Sequence, residues 1–286
     1  MNSHLKGLLI AFFGIVILTP DAVLVRLADS DSWTVLFWRG IFFATGIIVI
    51  LFITYRSKAV NELINIGKGG VLIGLLTALG GTSFILAIHY TSIAKTLVII
   101  SISPIMVAIV SWMMLKEKPA LYTWISMIIV FFGIYVVMSG DTSGVNLLGN
   151  LFALLSVVIG GFSFTLLRKY KNVNMVPAMA VNGFAIAIIG FIVADSLVLP
   201  IQSILYLFSS GVVLAVSFSL ITIAPRYIPA PEVAMFFPLG TVLGTLMAWI
   251  VVKEQPSSNA LIGGSIVIVT LFCHAWYSTK LAQKLK

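Results

Sequence analysis

Ser111-Trp112-Met113-Met114-Leu115-Lys116-Glu117-Lys118-Pro119 recurs 137 residues later as Ala248-Trp249-Ile250-Val251-Val252-Lys253-Glu254-Gln255-Pro256, with Trp, Lys, Glu and Pro in register. A second correspondence opens near the N-terminus at an offset of 142. Leu5, Gly7, Leu9, Ala11, Val16, Ile17, Leu24 and Arg26 fall there on Leu147, Gly149, Leu151, Ala153, Val158, Ile159, Leu166 and Arg168. Leu and Val coincide by chance in any apolar chain, so the charged and Trp matches carry the comparison. The two offsets differ by the length of a few loop insertions or deletions. The chain therefore reads as one unit copied once, with a first copy at residues 1–140 and a second at 145–286.

Working outward from the repeat, 60% hydrophobic and 9% charged residues with a mean hydropathy of +1.14 do not describe a water-solvated surface. Apolar runs fall at Leu5 to Leu27, Trp33 to Tyr55, Gly70 to His89, Thr96 to Leu115, Leu121 to Met138, Gly149 to Arg168, Val176 to Ala194, Ile204 to Ala224, Val233 to Val252 and Ala260 to Tyr277. Each of the ten, at 18 to 23 residues, can cross a hydrocarbon core of about 30 Å at about 1.5 Å per residue, and none alternates like a barrel strand. Lipid leaves helices as the spanning form. No stretch remains for a folded soluble domain. A signal peptide is disfavoured at the N-terminus, because the first run continues past Pro20 and its pattern recurs later.

The net charge of +8 is read first as loop charge that orients the chain, rather than as a nucleic-acid surface. With the N-terminus in the cytoplasm, Lys6, Arg56, Lys58, Lys68, Lys116, Lys118, Arg168, Lys169, Lys171, Arg226, Lys280, Lys284 and Lys286 lie inside. Arg26, Arg39, Lys95 and Lys253 lie outside, where the connections carry Asp29, Asp31, Asp141 and Asp195. Thirteen against four follows the positive-inside rule and predicts both termini in the cytoplasm. Trp33, Trp38 and Trp249 then sit near outer helix ends and Trp112, Trp124 and Trp276 near inner ones, as an aromatic belt requires. The basic tail from Lys280 to Lys286 suits anionic headgroups. The one cysteine, Cys273, leaves no intrachain disulfide and no cysteine-built metal site. Five spans per copy is an odd number, so the second copy enters the membrane upside down relative to the first, and inverted repeats are a design of secondary transporters.

Ten helices in two five-helix halves, with a proline in the fourth and ninth helices and a Glu-x-Pro after each, resemble the drug/metabolite transporter superfamily, EamA type, over essentially the whole chain. The resemblance implies an all-α integral membrane fold of ten transmembrane helices arranged as two inverted-topology five-helix repeats. It further implies carriage of small organic solutes, including amino acids and related metabolites, drugs and sugar conjugates, usually across a bacterial inner membrane. Glu117, Pro119, Glu254 and Pro256 are markers of the fold on this comparison and say little about the solute.

Charges inside spans are the most informative residues, because each costs about 2.5 to 3.5 kcal/mol at a helix centre. Asp21 and Arg39 lie at matching depths, each roughly 9 Å inside the outer end of its helix. Three readings stay open: a structural ion pair, a site for solute or a coupling proton, and independent exposure to an outer vestibule. Pro20 beside Asp21 frees a backbone carbonyl and makes helix one a hinge candidate, as Pro104 and Pro238 do in helices four and nine. In the related four-helix multidrug exporters a buried glutamate of helix one takes the coupling proton. Here Gly14 stands near that depth, so the precedent does not transfer directly, and protons are a candidate coupling ion through Asp21.

Neutral polar residues near mid-bilayer form a second tier: Ser101 and Ser103, Asn182, and Ser217, Ser219 and Thr222. Small hydroxyl residues commonly pack helices, whereas an amide such as Asn182 is harder to satisfy in lipid. Phe236 and Phe237, with Met235, suit a pocket wall for a partly apolar solute and equally suit a lipid face. His89 reads as an interfacial residue, and Asp29 with Asp31 as solvated loop charge rather than a metal site. Gly80-Gly81, Gly160-Gly161, Gly263-Gly264 and the Gly240 to Gly244 spacing suit close helix contacts, some of them between subunits of a homodimer.

These observations predict a secondary transporter of a small organic metabolite, an amino acid or related amphiphilic solute, working by alternating access with export favoured. An Asp, an Arg and aromatic walls suit a zwitterion with an apolar part. The expected partners are the solute, the bilayer and protons as candidate coupling ion, with no nucleic acid, cofactor or metal. Two alternatives belong to other classes. One is a non-transporting sensor or assembly subunit. The other is a membrane enzyme acting on a lipid-linked substrate, which would need a phosphate loop, a metal-spaced His and acid set or a Ser-His-Asp set that these residues do not spell.

Overall fold

A backbone polar group in hydrocarbon must find its partner within its own segment, and the apolar runs accordingly fold as helices. The computed structural model describes residues 3–91, 93–138, 147–252 and 258–284. Its helices are α1 (Ser3–Leu18), α2 (Asp21–Leu27), α3 (Ser32–Tyr55), α4 (Ala59–Asn65), α5 (Gly67–Tyr90), α6 (Ile93–Ile100) and α7 (Ser103–Leu115). The series continues with α8 (Leu121–Met138), α9 (Leu147–Lys169), α10 (Ala178–Val193), α11 (Ile201–Ile223), α12 (Ala230–Ala234), α13 (Phe237–Val252) and α14 (Ser258–Lys284). No strand occurs among the described residues. Asp141, Lys253, Glu254, Pro256, Lys286 and the boundary between the two copies lie outside them.

Among the described residues, seven stretches are long and apolar enough to cross a membrane: Ser3–Leu27, Ser32–Asn65, Gly67–Tyr90, Leu147–Lys169, Ile201–Arg226, Ala230–Val251 and Leu261–Ser278. Shorter apolar helices lie in α7, α8 and α10. The expectation of ten uninterrupted runs of 18 to 23 residues is therefore modified. A turn at Ser101 and Ile102 divides the fourth run, leaving 13 residues in α7, and Pro177 sets the start of a 16-residue α10.

Proline breaks fall inside apolar runs at Pro20, Pro104 and Pro238. Proline has no N–H to give the carbonyl four residues back, and in lipid that carbonyl needs another donor. Before Pro20 the turn tightens, with the Thr19 amide donating to the Val16 carbonyl at 3.3 Å and the Thr19 hydroxyl donating to the Ile15 carbonyl at 3.1 Å. Before Pro104 the Ser103 hydroxyl donates to the freed Ile100 carbonyl. A hydroxyl preceding the proline thus closes both breaks.

Packing joins one copy to the other. The main contacts are α3 with α10 and α11, α5 with α9 and α10, α7 with α9 and α12, α1 with α11, α6 with α9 and α13, and α8 with α14. Exchanging each helix for its counterpart in the other copy returns the same pattern: α5 on α9 becomes α11 on α1, α11 on α3 becomes α5 on α10, and α3 on α10 and α8 on α14 map onto themselves. The α3–α10 crossing shows the symmetry at atomic scale. A Cβ on Gly40 would lie 2.6 Å from the Gly183 carbonyl oxygen and 2.7 Å from the Ala187 nitrogen, and one on Gly183 would lie 2.7 Å from the Ala44 nitrogen. Both positions must be glycine because the facing atoms are backbone.

The apolar interior is unequal at the two ends. The larger cluster, including Leu8, Ile47, Leu51, Met179, Ile221, Ile228 and Met235, fills the end where α1 begins and α14 finishes. The smaller one, including Val35, Leu36, Ile85 and Leu207, lies toward the opposite end. Around the outside, apolar side chains such as Ile53, Ile192 and Phe272 are about three-quarters exposed. Such a girdle would be an aggregation surface in water and is matched to lipid tails in a membrane.

Candidate functional site

Between the copies lies a cavity of about 180 Å³. Drug-sized ligands occupy pockets of about 300 to 1,000 Å³, so this volume suits a smaller solute. Its wall is mainly apolar, with Phe43, Phe84, Phe164, Phe218 and Phe237 around it. Phe237 meets Phe164 edge to face at 5.4 Å between ring centres, an arrangement that fixes both rings.

Asp21 and Arg39 both line the cavity and are paired with each other. The break at Pro20 places Asp21 in the first turn of α2, where the unpaired amides of a helix start favour an anion. Arg39 of α3 reaches it twice: Nε donates to Oδ1 at 3.3 Å, and Nη2 donates to Oδ2. Ser210 of α11 completes the group, donating to Asp21 Oδ1 at 2.6 Å and accepting from Arg39 Nε at 3.2 Å. Each charged side chain is 5% exposed. Of the three sequence readings, the geometry is that of an ion pair standing on the cavity wall. Among the described residues no other charged side chain lines the cavity, so the wall they form carries no net charge.

Ser163 of α9 and Asn182 of α10 also line the cavity, each 3% exposed. Ser163 Oγ and Asn182 Oδ1 have no hydrogen-bond partner among the described residues. The other hydroxyls on the wall are occupied: Thr19 by Ile15, Thr77 by the Ile73 carbonyl at 2.6 Å, Ser103 by Ile100, and Ser156 by the Gly80 carbonyl at 2.9 Å. Thr241 donates to the Leu97 carbonyl at 3.0 Å and bonds to Ser101, tying α13 to α6 beside their breaks.

The remaining candidates separate. Ser217 is fully buried, its hydroxyl is without a partner among the described residues, and it does not line the cavity. Phe236 is also off the wall, packed against Phe12 at 6.5 Å. Ser219 returns its hydroxyl to the Ala215 carbonyl. Pro20, Pro104 and Pro238 sit at the three helix breaks. His89 is exposed beside Tyr90, and Asp31 caps α3, accepting from the Trp33 and Thr34 amides at 2.9 and 3.0 Å. Partial burial pushes the Asp31 carboxyl up, but hydrogen bonds from Thr34 and Trp33 outweigh it and hold the group below its ordinary 3.8. Among the described residues no three His, Cys, Asp or Glu side chains converge on a metal position.

Polar locks close the end where α1 begins. Arg168 Nε reaches both Glu117 carboxylate oxygens at 3.3 Å, and its Nη1 donates to the Pro225 carbonyl at 2.8 Å. Arg226 donates to the Lys171 carbonyl at 3.0 Å, and the Lys6 ammonium lies 4.9 Å from the centre of the Tyr227 ring. A buried cluster adjoins them, in which Glu232 of α12 lies 3.3 Å from His4 Nε2 and accepts from Ser278 at 3.3 Å. At the opposite end, Arg26 stands 3.5 Å from the Thr91 carbonyl. Ser210, Ser163 and Glu232 escape a sequence reading. Ser210 and Ser163 look like any packing serine, and Glu232 falls at the edge of its apolar run. The signal for Ser163 and Glu232 was the repeat itself, which sets them opposite Asp21 and Lys95 at offsets of 142 and 137.

An all-helical bundle among the described residues, with a lipid-matched exterior, proline-broken helices and a mainly apolar cavity, defines a multi-pass membrane protein. The chain belongs to the EamA-like transporter family, whose profile matches residues 5–139 and 147–275. It is 25% identical over 227 residues to an uncharacterized transporter of Methanothermobacter thermautotrophicus, an alignment that covers 74% of this chain and 66% of that relative. The chain thus spans just under two thirds of that relative's length. A protein known from a crystal structure aligns over 100% of both chains with a TM-score of 0.79 at 16% identity, a likeness of fold.

Proposed function

We propose that this protein is a secondary transporter that carries a small organic solute, an amino acid or related amphiphile, through the central cavity by alternating access, with export as its working direction. The two copies are inverted with respect to each other in the inner membrane, and both termini face the cytoplasm, as the distribution of Lys and Arg requires. Pro20, Pro104 and Pro238 are the hinges, Asn182 and Phe237 are cavity contacts, and Ser217 and Phe236 stand behind the wall. Discontinuous helices around a mid-membrane site are the usual means by which such carriers combine a polar site with a moving gate.

The observation that carries this reading is the inequality of two equivalent locks. Arg26 and Arg168 correspond in the repeat, and each faces a carbonyl at the end of the third or eighth run, Thr91 or Pro225. The Arg168 lock is made at 2.8 Å, whereas the Arg26 lock is stretched to 3.5 Å. Two similar halves holding unlike conformations are what alternating access requires, and exchange of the two conformations would open the first lock and close the second. The larger apolar core at the Arg168 end fits a state closed toward the cytoplasm.

The test is efflux from liposomes that contain the purified full chain and an amino-acid mixture, with and without an imposed proton gradient. Saturable loss of one or more amino acids relative to protein-free liposomes is expected, together with a shift of Arg168→Gln toward the cytoplasm-open form. A broad metabolite panel of which nothing moves under either condition would overturn the proposal.

A further inference from the structure

The repeat that aligns Arg26 with Arg168 also sets Asp21 on Ser163 at its offset of 142. In the next helix the offset is 143, read from the reciprocal packing of Gly40 on Ala187 and Gly183 on Ala44, and it sets Arg39 on Asn182. The charged pair of the first copy and the Ser163–Asn182 pair of the second are therefore the same place in the two halves, and all four residues line the cavity. One pair is satisfied internally, by two contacts between its members and by Ser210. The other has a hydroxyl and an amide oxygen with nothing to bond among the described residues, although both side chains are 97% buried. Among the described residues they are the two on the cavity wall with an unpartnered buried polar atom.

Leaving such groups unmade is costly, and in a cavity the missing partner can be a ligand. From this we infer that Ser163 and Asn182 form the solute's polar subsite, and that the solute is a molecule of zero net charge with an apolar body. An amide and a hydroxyl offer both donors and acceptors but no charge. Asp21 and Arg39 compensate each other, so an ionic solute entering this wall would bring a charge with no counterion, which is far costlier to bury than a hydrogen-bonding neutral group. The phenylalanine walls take the apolar body. The inference rests on the transport reading only in using its cavity as the solute site, and it narrows the solute from any amphiphile to a net-neutral one held by the second copy.

Equilibrium binding to the purified full chain in micelles, with protein-free micelles as blank, tests it with four labelled probes that share an isobutyl tail. Isocaproamide is uncharged, leucine is zwitterionic, isocaproate is an anion and isoamylamine a cation. The uncharged probe and the zwitterion should bind at least about tenfold more tightly than the two ions, and Ser163→Ala with Asn182→Leu should lose about tenfold for the neutral probes. Ser163→Ala alone, which removes one oxygen, serves if the double variant does not fold, and should weaken the same two probes. Equal or tighter binding of an ion, unchanged binding in the variants, or binding of neither neutral probe overturns the inference. If the neutral probes bind as expected but do not cross liposomes, the subsite stands and the transport reading falls.

Discussion

Replacing Asp21 with Asn keeps the shape of the site and removes its one negative charge, leaving the Arg39 guanidinium buried at 5% exposure with no counterion. Breaking a buried pair from one side costs about 3–5 kcal/mol. Arg39→Met should cost a similar amount, from the other side. Ser210 contributes less: hydrogen bonds between membrane helices average about 0.6 kcal/mol, so Ser210→Ala should cost about 1 kcal/mol or less despite its 2.6 Å contact. The double change Asp21→Asn with Arg39→Met removes both charges, so neither is left buried without a counterion and the cost falls well below the sum of the singles. The two single costs and the double cost therefore cannot add, and the cycle should return a coupling of several kcal/mol. Denaturant unfolding of the purified full chain in mixed micelles, followed by circular dichroism, measures all four proteins. Single variants that each cost less than about 1 kcal/mol, or a double variant equal to the sum of the singles, would refute the view that this pair is mutually compensated.

Gly183→Val should destabilise the fold by about 1–3 kcal/mol or more, because the new side chain meets the Ala44 backbone. Gly160→Ala should be neutral or stabilising by up to about 1 kcal/mol, since nothing lies within 4 Å of its added carbon; a thermal-melt ranking that reverses the two would contradict the packing described. Asp31→Ala should cost about 1 kcal/mol through loss of the α3 cap. The folded value of Asp31 is depressed, so its contribution is complete above the ordinary 3.8 and fades as pH falls through the lower folded value; a cap contribution that instead grew on acidification would be inconsistent with these hydrogen bonds.

Much of the architecture is legible along the chain. Apolar length, Lys and Arg asymmetry and the Trp-Lys-Glu-Pro repeat are one-dimensional properties, and so are the proline breaks, whose physical cause is a missing N–H on the same helix. The extent of individual helices was less legible. Whether the fourth run continues through Ser101 depends on Ser103 and Thr241 supplying bonds to carbonyls, and the second of these comes from a helix 144 residues away. Of the candidate site, Asp21 and Arg39 announced themselves as charges in apolar surroundings, whereas Ser163 carries no local mark that separates it from Ser156 or Ser219. Ser217 and Phe236 have the right composition and depth, but the rotation of their helices turns them from the cavity, and helical phase is set by neighbouring helices.

The amino-acid order alone determined that this chain lives in a bilayer, that it consists of two related halves and that three of its helices bend at prolines, because those properties follow from solvent, spacing and the backbone chemistry of single segments. Only the tertiary structure decided which polar groups are satisfied and which are left open. Asp21 meets Ser210 across 189 residues, His4 meets Glu232 from the far half, and the Ser163 hydroxyl and Asn182 amide oxygen find no hydrogen-bond partner among the described residues. Compensation of a buried charge or amide is a property of pairs brought together by packing, and no residue carries it by itself.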